Sequence, residues 1–213
     1  MSELPQVQKL HEEQIEEASR VLGRAFQDDP LFAYCIPDPT ERKKKCAIHC
    51  KWLILLGFLT GEVYSSSNDI EGVAIWHPYD IKEKNVEEQP KELLIKLRKV
   101  RKELFSDALY LERVTNFEEI ANSFQKECVD FPHWYLTMVG VDSNHQGNGY
   151  GSKLIEIRLN KFDNNNLPCY LHTENEKNIK FYEQFGFELI GKIKIPDSNV
   201  VFHPMLRNKK KEN

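Results

Sequence analysis

The chain has 213 residues, 40% of them apolar and 29% charged, with a formal net charge of −4. That is enough apolar material for one domain with its own core, and the composition carries no disordered or fibrous bias. The negative balance argues against a broad basic footprint, and with no aromatic and basic interleaving it argues against nucleic acid as a partner.

The first residues, Met1 to Gln8, carry no charged-then-apolar secretory pattern, and the longest apolar run, Trp52 to Leu59, is too short to cross a bilayer. A cytoplasmic protein without a membrane partner, monomeric or a homodimer, is the expectation. Five cysteines, an odd number without framework spacing, fit a reducing compartment. Cys46, His49 and Cys50 read as one face of an apolar helix, and no metal is expected.

In chain order, a strand is expected near Val7 to Leu10, then a helix from about Glu12 to Phe26 with Val21, Leu22, Ala25 and Phe26 as its apolar stripe. Asp28-Asp29-Pro30-Leu31-Phe32 and Ile36-Pro37-Asp38-Pro39 read as breaks before a second helix, Thr40 to Leu59. Glu62-Val63-Tyr64 and Gly72-Val73-Ala74-Ile75-Trp76 form a hairpin across a polar turn, and Trp76-His77-Pro78 ends its second strand. From Asp80 to Asp130 a charged, helical insertion follows. One of its helices carries the stripe Leu93, Leu97, Val100, Leu104, and another opens at the capping box Thr115-Asn116-Phe117-Glu118. The insertion reads equally well as a brace on the sheet or as a wall of an acceptor pocket.

Residues 133 to 162 organise the rest. The apolar strand His133 to Val141 runs through Asp142-Ser143-Asn144-His145 into Gln146-Gly147-Asn148-Gly149-Tyr150-Gly151, and then into a helix with Leu154, Ile155, Leu159 and Phe162 on one face. Three glycines leave backbone N–H groups uncovered, and the first helical turn has no internal partners for its own N–H groups. Those donors at the positive end of the helix dipole suit a phosphate or pyrophosphate. The turn lacks both the Gly-Lys-Ser/Thr of a P-loop and the Gly-x-Gly-x-x-Gly of a dinucleotide site. After a short strand, Cys169 to Thr173, the segment Asn175 to Phe187 places Asn178, Phe181, Tyr182 and Phe185 on one helical face, ended by Gly186. The final segments, Glu188 to Ile195 and Asn199 to Leu206, read as an antiparallel pair across Pro196-Asp197-Ser198, with a polar tail from residue 208 to 213.

Gln146, Gly149 and Gly151 resemble the Gln/Arg-x-x-Gly-x-Gly/Ala motif of the GNAT acetyltransferase superfamily, and Asn178-x-x-Phe181-Tyr182-x-x-x-Gly186-Phe187 resembles the element that follows it there. Ala25-Phe26, Asp29-Pro30-Leu31 and Pro37-Asp38 are similar to the amino-terminal region of the puromycin acetyltransferase-like branch, and Trp76-x-Pro78 to its Trp-x-Pro, which sets Trp76 near the acceptor, whereas ordinary residue behaviour favours an aromatic that closes a core edge. The element order suits a mixed, mostly antiparallel α/β sheet flanked by helices, spanning residues 1 to 207 as one domain. The resemblance adds a splayed central strand pair. It also implies acetyl-coenzyme A as cosubstrate and an amine as acceptor, with direct transfer in a ternary complex. Val139, Gly140 and Val141 would meet the pantetheine arm, and Gln146, Gly147, Asn148, Gly149, Tyr150, Gly151 and Ser152 the pyrophosphate. Asn175, Asn178 and Phe181 would complete the coenzyme site, with Tyr182 as general acid at the sulfur. The base has no motif; Thr137, Tyr135, His133, Glu71 and Glu174 all stand on strands or strand ends near the cleft, and a water chain to bulk would serve equally. The competing reading is a non-catalytic acyl-coenzyme A-binding module that acts through a protein partner.

Overall fold

A computed structural model describes residues 6–79, 90–164 and 167–208. The first ten positions of the helical insertion, 80–89, and tail residues 209–213 lie outside them. Strand β1 (Gln8–Lys9) and a 3-10 turn lead into α1 (Ile15–Phe26), α2 (Pro30–Cys35) and α3 (Pro39–Thr60). Then come β2 (Glu62–Ser65), β3 (Gly72–Tyr79), α4 (Lys91–Leu104), α5 (Ala108–Cys128), β4 (His133–Val141) and α6 (Tyr150–Asn164). The chain closes with β5 (Cys169–Thr173), α7 (Ile179–Glu183), β6 (Glu188–Leu189), β7 (Ile193–Lys194) and β8 (Val201–Arg207).

The strands form one mixed sheet in the order β1-β2-β3-β4-β5-β8-β6, with β7 also pairing β8. Every pairing is antiparallel except β4 with β5, which run parallel and meet only at Trp134 with Cys169 and Tyr135 with Tyr170. Beyond Tyr135 the two strands part, so the expected splay is present. The edge of β4 from Leu136 to Val141 is paired on its β3 side alone.

Two apolar layers clamp this sheet. On one face Val73, Ile75 and Met138 pack under α1, α3 and α4; on the other Ala74, Trp76 and Leu136 pack under α6 together with Tyr182 of α7. The ladder between β3 and β4 carries a bulge: Ile75 lies opposite Met138 but Trp76 opposite Leu136, which leaves Thr137 as an extra residue. Gly140 faces α1, and a Cβ there would stand 2.8 Å from Phe26 and 2.9 Å from Leu22. Its lack of a side chain lets the helix lie directly on the strand.

Four elements depart from expectation. Pro30 starts a helix instead of only breaking one, because Asp29 accepts the Leu31 amide at 2.9 Å and proline is well placed in a first turn. Helix α5 starts at Ala108, capped by the Asp107 carboxylate on the Tyr110 amide, so Thr115 is an interior helical residue. Strand β3 continues through Pro78 to Tyr79. The Glu188 to Ile195 strand is interrupted, giving β6 and β7 on the same partner.

Among the described residues, no helix is long and apolar enough to cross a membrane. All five cysteines are free, and only Cys128 is exposed. His49 stands beside the Tyr110 hydroxyl, and burial pushes its imidazole down to about 4.

Candidate active site

The glycine turn and the α7 helix open onto one cavity of about 720 Å³. Its walls include Val139, Gly140, Val141, Gln146, Gly147, Gly149, Tyr150, Gly151, Ser152, Asn175, Asn178, Phe181 and Tyr182, which the sequence had nominated from separate segments. Asn148 is not among the lining residues; its side-chain amide turns back to donate to the His145 carbonyl at 3.0 Å. As wall residues the sequence reading missed Ala25 and Phe26 at the end of α1, Asp28 and Asp29 of the turn that follows it, and His145 and Gln184.

The turn has the local geometry that an anion needs. Gly147 and Gly149 have φ of +79° and +86°, a region that side-chain-bearing residues seldom occupy. The first α-helical bond of this region runs from the Lys153 amide to the Gly149 carbonyl at 3.1 Å. The amides before it fall in the unpaired first turn of α6, at its positive end. Gln146 donates its side-chain amide to the Val141 carbonyl at 3.0 Å, pinning the turn to the end of β4. Gly151 lies under the Phe181 ring, so that α6 and α7 meet across the mouth. On the β5 side, Asn178 donates to the Thr173 hydroxyl at 3.3 Å, and Asn175 caps its own turn through the Lys177 amide.

Tyr182 lines this cavity, 8% exposed, and among the described residues no hydrogen-bond partner meets its hydroxyl. Burial pushes the phenol well above its usual range, and the nearby charges of Glu174 and Asp29 add to the effect. Asp29 is pushed up to about 7, first by burial and then by the Glu174 charge, against the pull of the Leu31 and Phe32 amides. Because this is above the unfolded value of 3.8, the folded state holds the extra proton between about pH 4 and 7, and stability falls as pH rises through that window. Asp29→Asn keeps an oxygen for the cap but cannot ionise. It is therefore expected to match wild type below pH 4 and to melt higher above pH 7, as thermal unfolding across pH will check.

The candidate bases separate clearly. His133 is buried, with its ring nitrogens on Gln125 and the Phe131 carbonyl. Glu71 accepts from Ser66 and Ser67 at 2.7 Å; burial raises its carboxyl, but these bonds outweigh it and hold the pKa below the usual value. Thr137 bonds to His77, whose imidazole burial pushes down to about 4. Tyr135 and Glu174 instead converge on His172, a residue the sequence reading passed over. The Tyr135 hydroxyl is 2.7 Å from Nε2 and the Glu174 carboxylate 2.7 Å from Nδ1. Trp76 is fully buried against Phe162 of α6, at 5.3 Å between ring centres, and is not among the residues lining the cavity.

The arrangement has counterparts. A family profile described as acetyltransferase (GNAT) family matches residues 114–187. An uncharacterized N-acetyltransferase of Schizosaccharomyces pombe is 31% identical over 176 residues, which span 80% of this chain and 69% of that protein. The fold is similar to a solved histone acetyltransferase HPA2 and related acetyltransferase from Corynebacterium glutamicum, with TM-score 0.66, 20% identity and 99% of each chain covered. It is also similar to arylalkylamine N-acetyltransferase 2 from Aedes aegypti, with TM-score 0.57, 14% identity, and 95% and 98% of the two chains covered. The protein is thus an enzyme of the N-acetyltransferase class. It belongs to the GNAT acetyltransferase family, whose acyl donor is acetyl-coenzyme A.

Proposed function

We propose that the enzyme moves the acetyl group of acetyl-coenzyme A onto a primary amine of a small molecule or peptide by direct attack in a ternary complex. What carries this reading is the single cavity that joins the turn at Gln146 to Ser152, the half-paired edge of β4 and the unpartnered Tyr182 hydroxyl. In this reading the free amides of the turn hold the pyrophosphate. The backbone of Val139 to Val141 hydrogen-bonds the pantetheine arm, as a strand edge bonds an added strand. Tyr182 gives its proton toward the departing sulfur. Cys35, Cys46, Cys50 and Cys169 are buried; burial pushes the thiols of Cys35, Cys46 and Cys169 up to about 12 and that of Cys50 well above its usual value, which suits transfer without a cysteinyl intermediate.

The turn between α1 and α2 walls the same cavity, which supports the likeness of Ala25-Phe26 and Asp29-Pro30-Leu31 to the puromycin acetyltransferase-like branch. The free thiols fit a cytoplasmic setting. In an incubation with acetyl-coenzyme A and a panel of alkylamines, polyamines and peptides, thiol release should appear with a product 42 Da heavier than its amine, roughly the mass of the acetyl group exchanged for hydrogen in general acid–base acyl transfer. Coenzyme binding with no product from any amine would overturn the reading.

A further inference from the structure

We propose that Tyr135, His172 and Glu174 form the proton-accepting array of the reaction, with the Tyr135 hydroxyl oxygen meeting the acceptor amine. This rests on the transferase reading above and supplies the base that the reading lacks. Tyr135 is the last β4 residue paired with β5, so its bond to His172 bridges the apex of the gap between the strands, and Glu174 follows directly after β5. Asp29 links the array to the cavity: it lines the wall beside Tyr182 and feels the charge of both Glu174 and His172.

The hydrogen bonds fix the direction of transfer. A carboxylate only accepts, so Nδ1 carries the proton given to Glu174, and the unprotonated Nε2 accepts from the Tyr135 hydroxyl. Both imidazole nitrogens are thereby engaged, and the open lone pair of the array is on the Tyr135 oxygen. An ammonium proton passes to that oxygen while the hydroxyl's own proton moves to Nε2, giving an imidazolium beside Glu174. The freed nitrogen lone pair forms the C–N bond at the thioester carbonyl, and the C–S bond breaks. The thiolate takes the Tyr182 proton, the nitrogen's second proton replaces it, and the imidazolium returns one proton to solvent. A tyrosine alone would be a poor base here, since burial and the charges of Tyr170, Glu174 and Glu118 hold its phenol well above the usual range. The relay lets it act without becoming a phenolate.

Among the described residues, the imidazole has Tyr135 of β4, Tyr170 of β5, Glu174 after β5 and Asp29 before α2 as its titratable neighbours; Glu118 of α5 acts on the Tyr135 end of the array, and Tyr182 of α7 feels Glu174 and Asp29. His203 on β8 is tied by Nδ1 to the Thr173 carbonyl. The test uses Tyr135→Phe, His172→Gln and Glu174→Gln in the full chain. Each variant is assayed from pH 6 to 10 with the best alkylamine of the panel, and with an amine already neutral at pH 7, such as an aniline. The expected loss at pH 7 is about 10² to 10³-fold in Tyr135→Phe and His172→Gln, at unchanged coenzyme affinity and melting temperature. It should shrink about tenfold per pH unit toward the amine's pKa of about 10.4, and nearly vanish with the neutral amine. An equal loss at every pH and with both amines would mark a packing role and overturn the proposal, as would unchanged turnover at pH 7. Coenzyme binding with no amine acylated by wild type would remove the transferase reading itself, and the array's role with it.

Discussion

A folded Gly149→Val protein is expected to bind coenzyme A too weakly for calorimetry to detect, while its melting temperature stays measurable and cooperative. Two effects act together. Gly149 has φ of +86°, where a β-branched residue is strongly strained, so the substituted turn must adopt another backbone path and re-aim its amides. The branched side chain also lies over donors that require close approach by an anion. Gly147 has a similar φ of +79°, yet a Cβ added there meets no atom within 4 Å. Strain without obstruction should therefore make Gly147→Ala the milder change, with binding weakened but detectable. Wild-type affinity in folded Gly149→Val would remove the turn from the coenzyme site.

Tyr182→Phe should keep fold and coenzyme affinity and lower turnover by about 10² to 10⁴-fold. The raised pKa of this phenol refines what it does. A group held above its usual range does not release a proton to a thiolate in advance; it donates a hydrogen bond that strengthens as the C–S bond breaks, and completes the transfer when the nitrogen supplies a replacement. The deficit should consequently persist across pH, because the phenol stays protonated throughout the working range. The base variants should instead recover at high pH. A loss below about tenfold would mean that solvent protonates the sulfur. A fall in melting temperature at unchanged turnover would make Tyr182 a packing residue only.

The strand–turn–helix of the site was legible because its signals are local. Apolar spacing, glycine positions and a helix stripe all lie within 30 consecutive residues, and the second segment ending at Gly186 repeats the pattern. What stayed hidden depended on choices between local signals or on chain segments far apart. Asp29-Pro30 reads as a break or as a cap followed by a first-turn proline, and only the packing of Phe32 and Cys35 into the core decides. Thr115 to Glu118 satisfies a capping pattern inside a helix already started by Asp107. His172 carries no motif, and its importance comes from partners at Tyr135, 37 residues away, and Glu174, brought together by the parallel pairing of β4 and β5. In the insertion, α4 packs in the apolar layer with α3, and Phe117 of α5 sets its ring 5.5 Å from His172, contacts between segments far apart in the chain that no local pattern announces.

The extra residue in β4 is absorbed without any change of face. On its amino side Leu136 faces the α6 layer and Tyr135 the gap, while on its carboxyl side Val139 faces α6 and Met138 the opposite layer. Removing Thr137 would make Leu136 and Met138 neighbours that already face opposite layers and already pair with successive residues of β3, so the alternation would run unbroken and both layers would keep their residues. What would go is the local bend and added twist of the bulge. The extra residue therefore sets the course of β4 and not the assignment of its faces, and it does so two residues after the last pairing with β5, where the two strands part.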